Sequence, residues 1–420
     1  MTHCPTEAIR VRGGRAHIIR ERCIDCGVCV RVCPNKAKKA ECDPFERLKD
    51  FAYTVALPAP TLYGQFRNLD SVNRVLTGLL EIGFHAVYEV AKAAESISAA
   101  TRQALLDPNR PKPVISSACP ACVRLICVRF PDLIPHVIDM IAPFELAAIR
   151  AREEAAARSG LKPEEIGVFF ITPCPAKVTA AKYPMLLNAP VVDGCLSMAD
   201  IYKRLLPAMK KIKTPLPLRR TGSVGIGWAR SGGEAAALVQ DGKLYVDGIR
   251  NVARVLESVE DGSLSDISFI ELNACNLGCV DGCLTVENAY IAREHLEKLT
   301  RSTPVSLSRI HAEESRGAVE KPQKQLEYQP TFELEGDALA KYARMEELAK
   351  LFPGMDCGSC GAPSCRALAE DIVQGYASEN DCIFRMREKL QALSGVDSDE
   401  FLPPPFRKSP PEAGKEPQDP

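Results

Sequence analysis

Three short segments, each placing a cysteine soon after an apolar run typical of a strand, constrain this chain more than any other feature. The runs lead to Cys119, Cys174 and Cys275, and Cys279 follows the last of them. Short β-branched and aromatic runs bounded by turn residues predict buried strands. In an open α/β sheet the loops after neighbouring strands converge on one crevice. We therefore expect the four thiols to meet there, where thiolates suit a buried iron–sulfur cluster.

Alternating strand and helix patterns in the central region predict a parallel α/β sheet. A short strand is expected at residues 55–60, where prolines stop it. Helices are expected at residues 75–80, 87–100, 143–159, 198–211, 234–240 and 287–299. The glycine-rich stretch 222–233 contains the only tryptophan, Trp228, and lacks the Lys-Ser/Thr ending of a phosphate loop. It is expected to provide close backbone packing around the cofactor pocket.

Composition narrows the class of protein. A chain of 420 residues can form two or three domains. A net charge of −1 and 46% apolar residues point to neither nucleic acid nor a membrane as partner. No apolar run approaches the length of a membrane span, and the N-terminus lacks a signal-peptide pattern, so the chain is predicted to be cytoplasmic.

The 18 cysteines call for a chemical explanation. Disulfides are typical of oxidising compartments and small secreted scaffolds. Here the cysteines form Cys-x-x-Cys groups separated by glycine and proline, which is the spacing of metal sites. Only six histidines are present, and the Cys-Pro pairs favour iron–sulfur clusters over zinc.

Residues 1–45 are predicted to form a 4Fe-4S ferredoxin module. They contain the C-x2-C-x2-C-x3-C-P run of bacterial ferredoxins, in which the fourth cysteine serves the other cluster. The cysteines of this run are Cys23, Cys26, Cys29 and Cys33. Cys4-Pro5 resembles the end of a preceding copy, so the chain as given is expected to begin inside a two-cluster ferredoxin. Gly13-Gly14 predicts a hairpin between the two halves.

Two ligand sets remain open for this module. In the favoured one, Cys4 completes the cubane of Cys23, Cys26 and Cys29, and Cys33 has lost its cluster. In the other, Cys33 completes a single cluster and Cys4 is spare.

A second cysteine group occupies residues 346–386. Its ligands would be Cys357, Cys360, Cys365 and Cys382. This C-x2-C-x4-C-x16-C spacing resembles the small helical four-iron domain of Rnf-B-like electron-transfer proteins. Residues 311–345 are predicted to be a linker, and the Pro-rich tail, residues 395–420, is predicted to be disordered.

The three central segments resemble the signature motifs of the [FeFe]-hydrogenase catalytic domain. They read Ser116-Ser-Ala-Cys-Pro120, Thr172-Pro-Cys-Pro-Ala-Lys177 and Glu271-Leu-Asn-Ala-Cys-x-x-Gly-Cys279. The resemblance implies a two-lobed, parallel-sheet α/β catalytic domain at residues 50–310, flanked by an α+β ferredoxin module and a small helical iron–sulfur domain.

The same resemblance implies roles for individual residues. Cys119, Cys174 and Cys275 would be ligands of a cubane, that is, a 4Fe-4S cluster. Cys279 would be both ligand and bridge to a two-iron subsite that carries carbonyl and cyanide. Lys177 matches the lysine that contacts a cyanide ligand, where a fixed cation holds an anion.

The chain departs from the family at its proton path. Ala118 replaces the relay cysteine, whose thiol titrates near neutral pH, whereas a methyl group cannot pass a proton. Alanine also stands at the other relay positions, namely Ala180, Ala142 and, less securely aligned, Ala99-Ala100. Glu145 is a candidate compensating acid, although glutamate is common at helix N-termini.

Other cysteines and the subsite pocket also differ from the family. Asn273 and Cys122 replace a methionine and an aromatic residue near the subsite. Cys122 and Cys283 lie beside the motifs, so they are candidates for lining the pocket or relaying protons. Core packing is expected for Cys42, Cys127 and Cys195.

These features resemble those of the sensory [FeFe]-hydrogenases, which usually continue into a PAS-type domain that this chain lacks. They imply slow dihydrogen oxidation or proton reduction, used for hydrogen or redox sensing, with a ferredoxin or signalling protein as redox partner. The alternative is a non-catalytic 4Fe-4S electron carrier or cluster-assembly protein without the two-iron subsite, like the eukaryotic hydrogenase-like assembly factors. A gene remnant is a third hypothesis, suggested by the clipped N-terminus.

Overall fold

The computed structural model describes residues 1–239, 241–305, 321–330 and 337–394. It divides the chain into two compact units, one formed by Met1–Ile19 with Phe332–Pro420 and the other by Arg20–Thr331. The ferredoxin-like sequence therefore contributes to both units. The predicted tail lies outside the described residues, as do 311–320 and 331–336 of the predicted linker.

Nine strands are present in the described residues: β1 (Ile9–Arg12), β2 (Arg15–Ile18), β3 (Tyr53–Pro58), β4 (Ala86–Val87), β5 (Val114–Ile115), β6 (Ile166–Thr172), β7 (Gly194–Ser197), β8 (Lys243–Asp247) and β9 (Phe269–Asn273). The first eleven helices are α1 (Val28–Val32), α2 (Val72–Glu81), α3 (Val90–Ala104), α4 (Pro120–Arg129), α5 (Pro143–Ser159), α6 (Pro175–Lys182), α7 (Met198–Lys211), α8 (Ser223–Gly227), α9 (Gly233–Ala237), α10 (Ile249–Glu260) and α11 (Ala289–Arg301). Three more follow near the C-terminus: α12 (Ala338–Leu351), α13 (Cys365–Val373) and α14 (Ile383–Ser394).

The larger unit contains two parallel sheets. One has the strand order β4-β3-β6-β7 and the other β5-β9-β8. Every residue of β6 is buried, as expected for a strand covered on both faces by helices. This architecture confirms the predicted two-lobed, parallel-sheet α/β fold.

Helix α5 shows how local sequence sets an element's bounds. Pro143 occupies its first turn, where a missing N–H costs nothing. The Glu145 carboxylate accepts the Ala142 N–H at 2.8 Å, and Gly160 ends the helix with φ 71°. The helix spans the residues that the sequence predicted, as does α7.

The glycine-rich stretch packs its backbone tightly, as predicted. A Cβ atom on Gly225 would lie 2.3 Å from the Ala91 carbonyl oxygen, and one on Gly233 would lie 2.1 Å from that of Gly227. These glycines permit the close approach of α8 to α3 and of α9 to the turn before it. Trp228 follows α8 directly, and its indole N–H donates to Ser98 at 3.0 Å.

The smaller unit combines the N-terminal hairpin with the three C-terminal helices. Strands β1 and β2 are antiparallel and joined by Gly13 and Gly14, which have φ 55° and 73°. Two positive φ values are typical of the tight turn that the sequence predicted. Helix α12 includes the last residues of the predicted linker, and its Met345 and Leu348 are buried in a small core.

Across the described ranges, no helix combines the length and apolar content needed to cross a bilayer.

Candidate metal centre

The three predicted cysteine loops follow strands of both sheets of the larger unit. Strands β5 and β9 are neighbours in one sheet and lead to Cys119 and Cys275, whereas β6 belongs to the other sheet and leads to Cys174. Cys119 and Cys174 each precede a helix that begins with proline. Cys119 and Cys174 are therefore held at the starts of helices, and each helix follows a strand of a different sheet.

The four thiols are close enough to influence one another. The Cys119 sulfur accepts a hydrogen bond from the backbone N–H of Ala274, the residue before Cys275. Burial, followed by the charges of Cys174, Cys119 and Cys279, raises the pKa of Cys275. No three His, Cys, Asp or Glu side chains of the described residues converge tightly enough to share a single metal ion. The ligands of a cubane, in contrast, surround a whole cluster.

Lys177 places a buried cation among these sulfurs. Its Nζ atom lies 3.5 Å from the Sγ atom of Cys279. Burial alone would lower the pKa of the ammonium group, but the charges of Cys279, Cys174 and Cys119 outweigh it and raise the pKa. Lys177 therefore stays protonated, and it can hold an anionic group at this position.

A cavity lies beside Cys279. Its walls are mostly apolar, and the predicted residues Ala118, Lys177 and Cys279 all line it. Other lining residues include Pro60, Phe144, Trp228 and Asn273. Cys174 and Cys275 lie outside this lining. Of the four thiols, those of Cys119 and Cys279 therefore border the cavity.

A buried acid pair at the cavity wall was missed by the sequence reasoning. Glu234 lines the cavity and accepts a hydrogen bond from the Ser116 hydroxyl at 2.6 Å. Glu271 accepts the backbone N–H groups of Gly232 and Ala235 at 3.0 and 2.8 Å. Burial and then the charge of Glu271 raise the pKa of Glu234 to about 8. A carboxyl group that keeps its proton near neutral pH can donate or accept one there.

A usable signal for this pair existed in the sequence. Glu271 stands inside the third cysteine motif, and Glu234 opens a predicted helix just after the glycine-rich stretch. An acid inside a strand that is otherwise apolar requires partners when it is buried. The Asn273 amide donates to Glu271 at 2.7 Å, so the asparagine that departs from the family motif is one such partner.

Two of the alanines predicted to replace proton-relay residues line a second, smaller cavity. Ala142, Ala180 and Glu145 line it, with Ser117 at its edge. Burial raises the pKa of Glu145 to about 7, and the Ala142 N–H opposes this shift. The methyl groups of the two alanines carry no exchangeable proton, so neither can pass one to Glu145.

Cys122 and Cys283 lie apart from the main cavity. Cys122 is buried and donates a side-chain hydrogen bond to Cys119, which lowers the pKa of Cys119 to about 5 despite its burial. Cys283 faces Gly27, where a Cβ atom would lie 2.8 Å from its sulfur. Arg31 forms an ion pair with Asp281, so the loop after Cys279 packs on the Cys23–Cys29 region.

The N-terminal cysteines are split between the units. Cys23, Cys26 and Cys29 lie in the larger unit, and Cys4 lies in the smaller one. Gly27 takes a left-handed φ of 75° at the start of α1, which permits the turn between Cys26 and Cys29. The Cys33 sulfur accepts the Ala37 N–H at 3.4 Å, and this contact lowers the pKa of Cys33. No disulfide joins any cysteine of the described residues.

The C-terminal cysteines converge. Cys357, Cys360, Cys365 and Cys382 all line one cavity. Cys365 begins α13, and Cys382 precedes α14. Burial raises the pKa of Cys360. Four thiols around one small cavity is an arrangement that can hold a cubane.

Comparison with known proteins agrees with this geometry. Residues 52–241 and 234–283 match the family described as "Iron only hydrogenase large subunit, C-terminal domain". Residues 16–39 match "4Fe-4S binding domain", and residues 352–384 match "Putative Fe-S cluster".

Individual relatives match parts of the chain. Iron hydrogenase 1 of Clostridium pasteurianum is 21% identical over 220 residues, which are 51% of this chain and 37% of that protein. One component of the ion-translocating oxidoreductase complex of Rhodobacter capsulatus is 40% identical over 52 residues, 12% of this chain and 28% of that protein. A variant of [FeFe]-hydrogenase HydA1 from Chlamydomonas reinhardtii superposes with a TM-score of 0.51 at 15% identity, covering 68% of this chain and 96% of that one. The structural likeness shows the fold.

Proposed function

Because the chain belongs to the iron-only hydrogenase large-subunit family, we propose that it is an iron–sulfur oxidoreductase that interconverts dihydrogen and protons slowly and serves to sense hydrogen or redox state. The observation that carries this proposal is one cavity bordered by Cys279, Lys177 and Ala118. The first two residues would hold an H-cluster-type centre, and the third removes the family's proton donor beside it.

The residues fit the cofactor that the family implies. We propose Cys119, Cys174, Cys275 and Cys279 as cubane ligands, with Cys279 also bridging to a two-iron subsite. The cavity beside Cys279 is where such a subsite would bind, and the Lys177 ammonium offers an anionic ligand a fixed partner. When bound, this group supplies the redox chemistry with dihydrogen.

The protein's own residues would limit the rate through proton movement. Proton transfer by a positioned side chain typically contributes a factor of about 10² to 10⁴. Ala118 has no exchangeable proton on its side chain, and Ala142 and Ala180 break the predicted path. Glu234 and Glu271 both line the cavity, and the Ser116 hydroxyl donates a hydrogen bond to Glu234. We propose that this pair moves protons in place of the lost cysteine.

Electrons would arrive through further 4Fe-4S clusters. We propose Cys357, Cys360, Cys365 and Cys382 as ligands of the C-terminal cubane, since they line one cavity. The N-terminal cluster of Cys23, Cys26 and Cys29, with Cys4 or Cys33, stays a prediction from the sequence. A ferredoxin or a signalling protein would be the redox partner. Reduced thiolates suit the cytoplasm, where we place the protein.

The replaced relay positions also favour a second candidate function. A non-catalytic 4Fe-4S electron-transfer or cluster-assembly protein would keep the cubane thiols and need no proton path. The alanine side chains at positions 118, 142 and 180 are compatible with that role.

Infrared spectroscopy separates the two functions. The full chain would be co-expressed with the hydrogenase maturation machinery, purified without oxygen and examined for carbonyl and cyanide bands. Bands together with slow hydrogen–deuterium exchange are the result expected for the hydrogenase function. A protein that holds its full cubane iron without such bands would contradict it and support the alternative.

A further inference from the structure

The smaller unit contains a contact between two segments that lie far apart in the sequence. The Val11 N–H donates to the Gly361 carbonyl at 2.8 Å, and the Arg12 Nη1 atom donates to the Cys360 carbonyl at 2.7 Å. Gly361 has φ +81°, and a Cβ atom there would lie 2.0 Å from the Val11 carbonyl oxygen. Strand β1 therefore packs directly on the loop that carries the second C-terminal cysteine.

A buried ion network fastens the same strand to α13. The Arg10 Nε atom lies 2.9 and 2.7 Å from the two carboxylate oxygens of Asp371, and the Arg12 Nη2 atom lies 2.7 Å from one of them. Arg10 is 6% exposed and Asp371 is 4% exposed, whereas the Arg12 side chain is 31% exposed. Charge-assisted hydrogen bonds in such a buried setting are strong and fix geometry.

Arg12 links the two parts of the C-terminal cysteine site. One of its nitrogens bonds to the carbonyl of Cys360, and the other bonds to Asp371 on the helix that begins with Cys365. A single planar side chain thus sets the position of one candidate ligand relative to another. The match to the "Putative Fe-S cluster" family covers residues 352–384, so Arg12 lies outside the matched region.

We propose that Arg12 is a positioning residue of the C-terminal cubane. It holds the ligand loops in place, and its positive charge raises the reduction potential of the cluster. The proposal rests on the assignment of that cubane to Cys357, Cys360, Cys365 and Cys382. A cubane with four thiolates is an anion that becomes more negative on reduction, so a nearby guanidinium favours the reduced form. Asp371 has the opposite effect, because its carboxylate offsets the positive charge.

The test uses the full chain with its clusters reconstituted. Cys382→Ser identifies the signal of the C-terminal cubane, as the part of the electron paramagnetic resonance spectrum that this variant loses. The midpoint potential of that signal is then measured in Arg12→Gln, Arg12→Lys and Asp371→Asn. Arg15→Gln is the matched control, because Arg15 is an exposed arginine of the same hairpin.

The charges predict shifts of opposite sign. Arg12→Gln should move the midpoint to more negative values and speed iron release to a chelator. Asp371→Asn should move the midpoint to more positive values. Arg12→Lys should keep the midpoint near the parent value yet release iron faster, because an ammonium lacks the rigid planar fork whose two nitrogens reach the separate acceptors. A purely structural role would not produce midpoint shifts of opposite sign.

Two outcomes overturn distinct claims. If Cys382→Ser removes the signal but Arg12→Gln and Asp371→Asn match Arg15→Gln in midpoint and iron release, the role of Arg12 is refuted and the ligand assignment stands. If Cys382→Ser leaves every cluster signal intact, the ligand assignment itself is wrong. If Arg12→Gln fails to fold, Gly361→Ala is measured instead. This variant displaces β1 while retaining all charges, and it is expected to release iron faster.

Discussion

The ammonium nitrogen of Lys177 lies 3.5 Å from the sulfur of Cys279, and both residues line the main cavity. This single contact ties the cation to the one cysteine proposed to serve two metal groups. The two candidate functions differ in their need for this lysine, because a cubane needs no such cation and an anionic two-iron subsite does.

The first prediction concerns this lysine. Lys177→Gln should keep the cubane but hold the two-iron subsite poorly, because the amide cannot balance an anionic ligand in a buried cavity. The expected result is unchanged cubane iron with carbonyl and cyanide bands weakened or lost in the infrared spectrum. Lys182→Gln is the control, since it lies at the end of the same helix with its side chain half exposed. Full infrared bands in Lys177→Gln would contradict the role of the cation.

The second prediction restores the missing proton donor. Ala118 borders the cavity, so a cysteine there would place a thiol beside the proposed subsite. Ala118→Cys should raise hydrogen turnover by about 10²-fold or more, the size of a proton-transfer contribution. Ala118→Ser is the matched control, because a hydroxyl has a similar size and does not titrate near neutral pH. Equal turnover in the two variants, at equal cluster content, would count against the account of the lost relay.

The third prediction tests the acid pair that replaces the relay. Glu234→Gln should lower hydrogen turnover by about 10²-fold while the cluster content stays constant, because the amide keeps the shape and cannot release a proton. Glu95→Gln provides the comparison. Glu95 is also buried and accepts the N–H groups of Gly222 and Gly225, but it does not line the cavity. Wild-type turnover in Glu234→Gln would remove this acid from the proton path.

Local signals in the sequence predicted the elements that position the site. They could not predict contacts between residues that are far apart in the chain. Helix α5 was predictable because Pro143 and Gly160 mark its ends. Strand β6 was predictable because its sequence is a short run rich in β-branched and aromatic residues. The cysteine loops followed from strand patterns. The contact of Ser116 with Glu234 and the clamp of Arg12 on Asp371 join residues that are far apart in the chain. No local periodicity records such pairings, so only the folded chain reveals them.

The fourth prediction separates neighbouring cysteines. Cys279 borders the main cavity, whereas Cys283 faces Gly27 and lies outside the cavity lining. Cys279→Ser should lose the infrared bands and destabilise the cubane of the catalytic domain. Cys283→Ser should keep both, because its sulfur faces Gly27 in the loop between Cys26 and Cys29 and does not line the main cavity. Iron analysis together with infrared spectroscopy measures this, and loss of the bands in Cys283→Ser would show that the ligand set is misassigned.

The last prediction concerns the pH dependence of stability. The pKa of Glu234 is raised to about 8 by burial and then by the charge of Glu271, with Ser116 opposing the shift, and Cys119 and Lys177 are the other charged groups that act on it. In the unfolded chain a glutamate titrates near about 4.3. Between these values the folded protein keeps a proton that the unfolded chain has released, so the free energy of unfolding falls as pH rises.

Glutamine carries no such proton, so Glu234→Gln should flatten this decline between about pH 5 and pH 8. Its melting temperature should match or fall below that of the wild type near pH 5 and exceed it near pH 8, where the wild type bears the full cost of a buried carboxylate. Calorimetric melts across this range measure the effect, with the exposed Glu81→Gln on α2 as the control. If the Glu234→Gln melting curve runs parallel to that of the wild type, Glu234 is ionised throughout and has no proton to exchange with the cavity.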